Sequence, residues 1–371
     1  MKNIKIIDRF IFSQVFWATT VCILLFSIIW IAPETLLRTV QRVLDGTYTL
    51  EMGFSAIICE IPKILGNALP VGIFLGTLFT FDKMSKDSEL TVMRACGASF
   101  YRIIASTLVL GVMVAALSFF VRDKMIPYAS TNFDVVKRYS SATHFVFPIK
   151  NENNKMKRVI IVPEFRDYSI NDVVVLNFAD GIQSKGKSVL ESIFMADFVK
   201  YDETSHIWTI NESSTYNITP EGVYTKVKKE KNLDILGGDR GKNAYELMKF
   251  SLKRDRDMTN AELKRYTHLL KIESMDDEYR FMLNKYLQRY TQSIIAILFV
   301  IFGALLGFSK PREQRLIGFT LAVLTIFLYY ITMPFLDLLA EKGILHPVIS
   351  ASIAPIVLIF AIRALKKQKD L

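Results

Sequence analysis

Six long apolar runs constrain this chain more than any other feature. They are Phe10–Ala32, Phe54–Phe81, Ile103–Val121, Ser293–Phe308, Leu316–Leu339 and Pro347–Leu365. A helix crossing the hydrocarbon of a bilayer needs about 20 apolar residues. In lipid, the backbone polar groups of such a run are satisfied only within a helix or a closed barrel. The fourth and sixth runs are short and extend into flanking aromatic or basic residues. The second contains Pro62, Gly66, Pro70, Gly72 and Gly76, which predicts a kinked or tilted helix. The first is too long for the apolar core of a signal peptide, and no small-x-small cleavage site comes after it. It reads as a retained membrane helix. Between the third and fourth runs the chain turns polar and lysine-rich, although hydrophobic residues make up 51% of the whole. This pattern excludes an ordinary soluble enzyme, a disordered chain and a disulfide scaffold.

Basic residues in short loops set the orientation. One set of loops carries Lys2, Lys5, Arg9, Lys83, Lys86, Arg94, Arg102, Lys310, Arg312, Arg315, Arg363, Lys366, Lys367 and Lys369. The alternate set carries Arg38, Arg42 and Lys342. Both termini are therefore expected in the cytoplasm, and the region of about 123–290 outside it. The net charge is +10; the cytoplasmic basic residues are explained by this orientation, and no compact basic motif points to nucleic acid.

Short β-type runs fill the stretch from His144 to Val227, among them Val159–Val162, Val173–Leu176, Ser192–Val199 and Ile207–Ile210. Asp180-Gly181, Asp202-Glu203 and Pro220-Glu221-Gly222 punctuate them as turns. A β-sandwich or an open, barrel-like roll is expected. Thr259-Asn260-Ala261-Glu262 then reads as a capping box, with Leu263, Tyr266 and Leu270 after it at helical spacing. A second helical stretch over about 276–291 leads into the fourth span.

Chemical motifs are scarce. Cys22, Cys59 and Cys96 lie outside the polar middle and form no Cys-x-x-Cys pair, and the four histidines are scattered. No nucleophile–base set, metal cluster or intramembrane His/Asp group stands out. Gly181–Ser188 matches the P-loop pattern letter for letter. The next residues, Val189–Phe194, are strand-like, no acidic metal-holding segment appears, and the stretch is placed on the side of the membrane without ATP. It reads as a basic hairpin loop.

Two places carry functional weight. Between the second and third spans, Asp87 or Ser88 can cap a short helix over about 88–97 and Gly97 can end it. Glu89 sits in its first turn, and Leu90, Met93 and Gly97 share a face. A short helix here suits the docking of a cytoplasmic partner. At the outer end of span one, Arg38 and Arg42 stand four residues apart, on one helix face, and guanidinium groups suit phosphate. Lys63 lies three residues after Glu60 near the outer end of span two, where an ionisable group invites either a binding role or a simple pair with Glu60.

The residues Pro62, Pro70, Gly76, Asp87-Ser88-Glu89-Leu90, Met93-Arg94-Ala95 and Gly97 resemble the lipopolysaccharide export permease family, LptF/LptG (formerly YjgP/YjgQ). Asp45-Gly46, Ala196, Trp208 and Glu341–Pro347 extend the resemblance over the whole length, slightly nearer LptF. Where the family usually has proline entering span four, this chain has Tyr290-Thr291-Gln292.

The resemblance implies a membrane α-helical bundle of six transmembrane helices, three on each side of an inserted extracytoplasmic all-β, jellyroll-like domain. The corresponding segments are 1–122, 123–258 for the β domain, 259–291 as a helical connector, and 292–371. It implies a permease subunit of an ABC transporter in the bacterial inner membrane, without its own ATPase site. A separate cytoplasmic ATPase dimer would dock on Asp87, Ser88, Glu89, Leu90, Met93, Arg94 and Gly97, and would use the ATP and magnesium. Further implied partners are a homologous permease or second copy, a single-span periplasmic jellyroll protein of the LptC type, and lipopolysaccharide. Arg38 and, less clearly, Arg42 are the implied lipid contacts, and Lys63 joins them as a candidate through its position near the membrane. Two other readings stay open: a non-transporting membrane scaffold or sensor with a periplasmic binding domain, and an exporter of a different lipid or lipoprotein.

Overall fold

The computed structural model of the protein describes residues 6–31, 36–137, 145–150, 156–166, 169–178, 189–202, 204, 207–219, 224–234, 238–251, 253–273, 275–308 and 316–369. The chain divides into two compact units, Met1–Val136 with Leu283–Leu371, and Lys137–Met282.

The first unit is helical. In order it contains α1 (Ile6–Ile31), α2 (Leu37–Leu44), α3 (Leu50–Lys86), α4 (Glu89–Ala95) and α5 (Phe100–Phe120). A π-helical turn, Val121–Met125, joins α5 to α6 (Ile126–Lys137). Further along the chain come α9 (Asp276–Gly307), α10 (Leu316–Glu341) and α11 (Pro347–Gln368). Among the described residues, six helical stretches are long and apolar enough to cross a membrane: Ile6–Ile31, Leu50–Lys86, Phe100–Thr131, Asp276–Gly307, Gly318–Glu341 and Pro347–Gln368. Each coincides with an expected span. The ends differ most at the third, which continues through the π-helical turn, and the fourth, which starts well before Ser293.

The long helix α3 forms the centre of this unit, with Phe74 and Phe81 fully buried. Its start is capped by Thr49, whose hydroxyl accepts from the Met52 amide at 3.2 Å. The helix runs unbroken through Pro62 and Pro70. Two of its glycines, Gly72 and Gly76, serve close packing. A Cβ on Gly76 would lie 2.6 Å from the Thr19 backbone of α1, and one on Gly72 would lie 2.3 Å from Ile23 Cγ1. Small residues at this spacing let helix backbones approach within lipid. The same device recurs on α9, where Cβ atoms on Gly303 and Gly307 would sit 2.7 Å from the Phe74 and Leu78 carbonyl oxygens. Phe299 of α9 stacks on Phe74 with ring centroids 4.7 Å apart.

The second unit contains β1 (Phe145–Lys150), β2 (Met156–Val162), β3 (Glu164–Arg166), β4 (Ser169–Phe178), β5 (Leu190–Asp202), β6 (Ile207–Ile218) and β7 (Tyr224–Asp234). The described strands form one antiparallel sheet in the order β1-β2-β4-β5-β6-β7, with β3 paired to β4. Strands β2 and β3 both pair with β4; the other strands lie beside their neighbours in the chain, as successive hairpins dictate. All four strand-like runs of the sequence are strands. Strand β7 extends past Val227 because its lysine-rich stretch pairs by backbone with β6, up to Asp234 opposite Thr209. Among the described residues the strands lie between Phe145 and Asp234, with helix on either side. The segment Gly181–Ser188 lies outside the described residues.

Helices α7 (Gly238–Ser251) and α8 (Asn260–Ile272) complete the unit. Tyr201 and Trp208, opposite each other on β5 and β6, pack at 4.9 Å between ring centroids. Tyr245 of α7 stacks on Tyr201 at 4.1 Å. The expected capping box opens α8: the Glu262 amide donates to Thr259 Oγ1 at 3.2 Å and the Thr259 amide to Glu262 Oε2 at 2.8 Å. Leu263, Tyr266, Leu269 and Leu270 are buried along its inner face.

Candidate functional site

The loop between α3 and α5 is the first sequence-marked place. Helix α3 ends where the Asp87 amide donates to the Lys83 carbonyl at 2.9 Å. Ser88 then adopts a left-handed backbone, φ 59°, at the N-cap position of α4. It is the left-handed turn, and not a side chain, that starts the helix: Ser88 makes no capping bond, and Asp87 closes α3 instead. Gly97 stops α4 as the spacing predicts. Its φ is +83°, its amide donates to Arg94 at 2.8 Å, and the Ala98 amide reaches back to Met93 at 3.1 Å. That pair of bonds is a Schellman closure, which favours glycine at this position.

Leu90 and Met93 do share a face, and that face points into the helical unit. Leu90 is 1% exposed, in a cluster with Phe81, Met84, Phe100 and Phe308, and Met93 packs against the same cluster. These two residues hold α4 in place, while Thr91, Val92, Arg94, Ala95 and Cys96 are exposed. The Arg94 guanidinium lies over the Phe308 ring, 5.7 Å from its centroid. Glu89 is half-buried, and its Oε2 is enclosed with no hydrogen-bond partner among the described residues.

Arg38 and Arg42 both lie on the short helix α2 and are exposed. Arg42 Nη1 donates to Tyr48 Oη at 2.8 Å, and its guanidinium sits 5.3 Å from the Tyr48 ring centroid. The contact presets the guanidinium by stacking and hydrogen bonding while leaving donors over. Lys63 is on α3 and makes an ion pair with Glu60, Nζ to Oε1 at 2.9 Å.

Two further sites escaped the sequence reading. Arg122, in the π-helical turn, donates from Nη2 to the Gly66 carbonyl at 2.8 Å and to Asn67 Oδ1 at 3.3 Å. Tyr330 of α10 donates to the Asn67 carbonyl at 3.0 Å. The second site corrects the expectation that no intramembrane acidic group exists. Asp337 lies inside α10 and is buried. Its Oδ1 accepts from Asn284 Nδ2 at 2.8 Å and from Gln288 Nε2 at 2.6 Å, and its Oδ2 pairs with Lys285. A signal was present: a single aspartate within an apolar run marks a polar partner across the bundle. What hid it was that its three partners lie about 50 residues upstream, just before the fourth apolar run.

Comparison with known proteins bears on the family. The family model described as "Lipopolysaccharide export system permease LptF/LptG" matches residues 9–367. The chain is similar to the lipopolysaccharide export system permease protein LptF of Escherichia coli (strain K12), 31% identical over 85 residues, 23% of either chain. The protein of the same description from Shigella flexneri matches to the same extent. The aligned stretch thus spans less than a quarter of these curated relatives.

Proposed function

Because the chain belongs to the lipopolysaccharide export permease family LptF/LptG, we propose that it is a membrane subunit of an ABC-type exporter of lipopolysaccharide in the bacterial inner membrane. In this reading both termini are cytoplasmic, three spans precede and three succeed the Lys137–Met282 unit, and that unit lies in the periplasm. The sheet belongs to a jellyroll-like domain that hands lipid to a single-span partner of the LptC type. A homologous permease or second copy completes the cavity.

The observation that carries the reading is the geometry of α4. The short helix is locked to the bundle by Leu90 and presents Thr91, Val92 and Arg94 outward, at the end bearing the basic loops. A helix anchored on one face and open on the other can receive force from a protein docked beneath it. Glu89, half-buried in the first turn of α4, adds a carboxylate beside those exposed residues. Power then comes from a separate ATPase dimer, which uses the ATP and magnesium. Arg38 and Arg42 on α2 suit the phosphates of the lipid headgroup, and Lys63, held by Glu60, adds positive charge lower on α3.

Affinity capture of the chain from native membrane, with mass spectrometry of proteins and lipids together, tests this. Co-isolation of an ABC ATPase and an anionic glycolipid is expected. Capture with neither would leave a scaffold or sensor as the better reading, and capture of an ATPase with a different lipid would change the substrate.

A further inference from the structure

Helix α9 carries an unusual set of attachments at its two ends. Near Phe308, just past its C-terminus, lies α4: Arg94 covers the Phe308 ring at 5.7 Å, and Phe100 meets the same ring edge-on at 5.7 Å. Leu90, Leu305 and Phe308 belong to one buried cluster. Lys369, after α11, donates to the Leu305 carbonyl at 2.6 Å and to that of Phe308. These are the carbonyls that a helix C-terminus leaves without partners, where a cation is favoured.

Toward the other end of α9, Asn284, Lys285 and Gln288 converge on Asp337 of α10. Asn284 is 0% exposed, Gln288 4% and Asp337 8%. In such surroundings, removing one member of an ion pair leaves an uncompensated charge at high cost, so the cluster holds together or opens as a whole. From Asn284 to Phe308 is about 36 Å at the helical rise of about 1.5 Å per residue. No proline interrupts α9.

We infer that α9 is a shaft that carries displacement of α4 to α10, with Asp337 as the positioning residue that couples α10 to it. The inference rests on the reading of α4 as the ATPase contact. It adds that the force leaves α4 through Phe308 and reaches α10 through one buried carboxylate.

The test uses the full transporter complex in nanodiscs. Spin labels are placed at Trp17→Cys on α1, which serves as the reference outside the α9–α10 pair, and Phe335→Cys on α10, both exposed residues, after Cys22→Ser, Cys59→Ser and Cys96→Ser. Double electron–electron resonance then compares the nucleotide-free complex with the complex trapped by ATP and vanadate. A shift in the label distance on trapping is expected. Asp337→Asn is expected to abolish the shift while ATP hydrolysis continues. The exchanged pair Lys285→Asp with Asp337→Lys is expected to restore it, and carries the test alone if the single variant does not fold. A complex that hydrolyses ATP with no label shift, or a shift that survives Asp337→Asn, would overturn the shaft but leave the proposed function standing. A wild-type chain that brings down no ATPase would overturn both.

Discussion

Arg122 donates to the one carbonyl that Pro70 leaves without its helical donor. Pro70 has no N–H, so the Gly66 oxygen four residues earlier loses its intrahelical bond. Arg122 Nη2 lies 2.8 Å from that oxygen. A proline thus stays within a continuous α3 because a guanidinium from the π-helical turn replaces the missing amide.

Arg122→Met should therefore destabilise the helical unit by about 1–3 kcal/mol, the cost of an unsatisfied buried polar group. Pro70→Ala alone restores the helical donor. The double variant should recover part of the loss, and a thermal-shift cycle in detergent reads the coupling. Strict additivity of the two changes would show that the bond carries no weight.

Gly76→Ala should loosen α1 from α3. The added methyl would meet the Thr19 backbone at 2.6 Å, and backbone cannot rotate away as a side-chain tip can. Overpacking of this kind costs about 1–3 kcal/mol. Gly46→Ala is a useful contrast, since space there is open and only its left-handed φ of +71° is strained. Faster proteolysis or a lower melting temperature for Gly76→Ala checks the effect.

Acid should weaken the start of α8. Burial alone would raise the Glu262 carboxyl, but the bonds from Lys253 and from Thr259 outweigh it and hold the group below the usual carboxylate range. A depressed folded value means the stabilisation is complete above the unfolded pKa of about 4.3 and is lost as pH falls through the folded value. Protection of the Leu263 amide, taken relative to the intrinsic exchange rate at each pH, should fall on acidification in the wild type. Glu262→Gln should show the lower protection already at neutral pH and change less with acid.

Arg38→Glu with Arg42→Glu should abolish release of lipopolysaccharide from proteoliposomes while the complex still assembles. Tyr48→Phe should give a milder defect, since it removes only the oxygen that accepts from Arg42 at 2.8 Å. Undiminished release by the double variant would remove the phosphate role.

Ser88→Gly should be neutral or stabilising, because glycine takes φ 59° without the Cβ penalty of roughly 1 kcal/mol that serine bears. Ser88→Ala should cost little, since no capping bond is lost. A large loss of melting temperature in Ser88→Ala would point to a side-chain role.

The sequence by itself determined which stretches are helices of membrane-crossing length, because about twenty apolar residues in a row have few other stable states. It determined the strand-like runs, the Thr259–Glu262 box and the Gly97 stop, which are local signals read within a turn or two. Which carbonyl Arg122 serves, that Leu90 and Met93 turn inward, that Gly76 meets the Thr19 backbone, and that Asp337 gathers Asn284, Lys285 and Gln288 were decided only by tertiary structure. Those facts depend on which faces of distant helices meet, and one chain's spacing holds no information about its neighbours across the bundle.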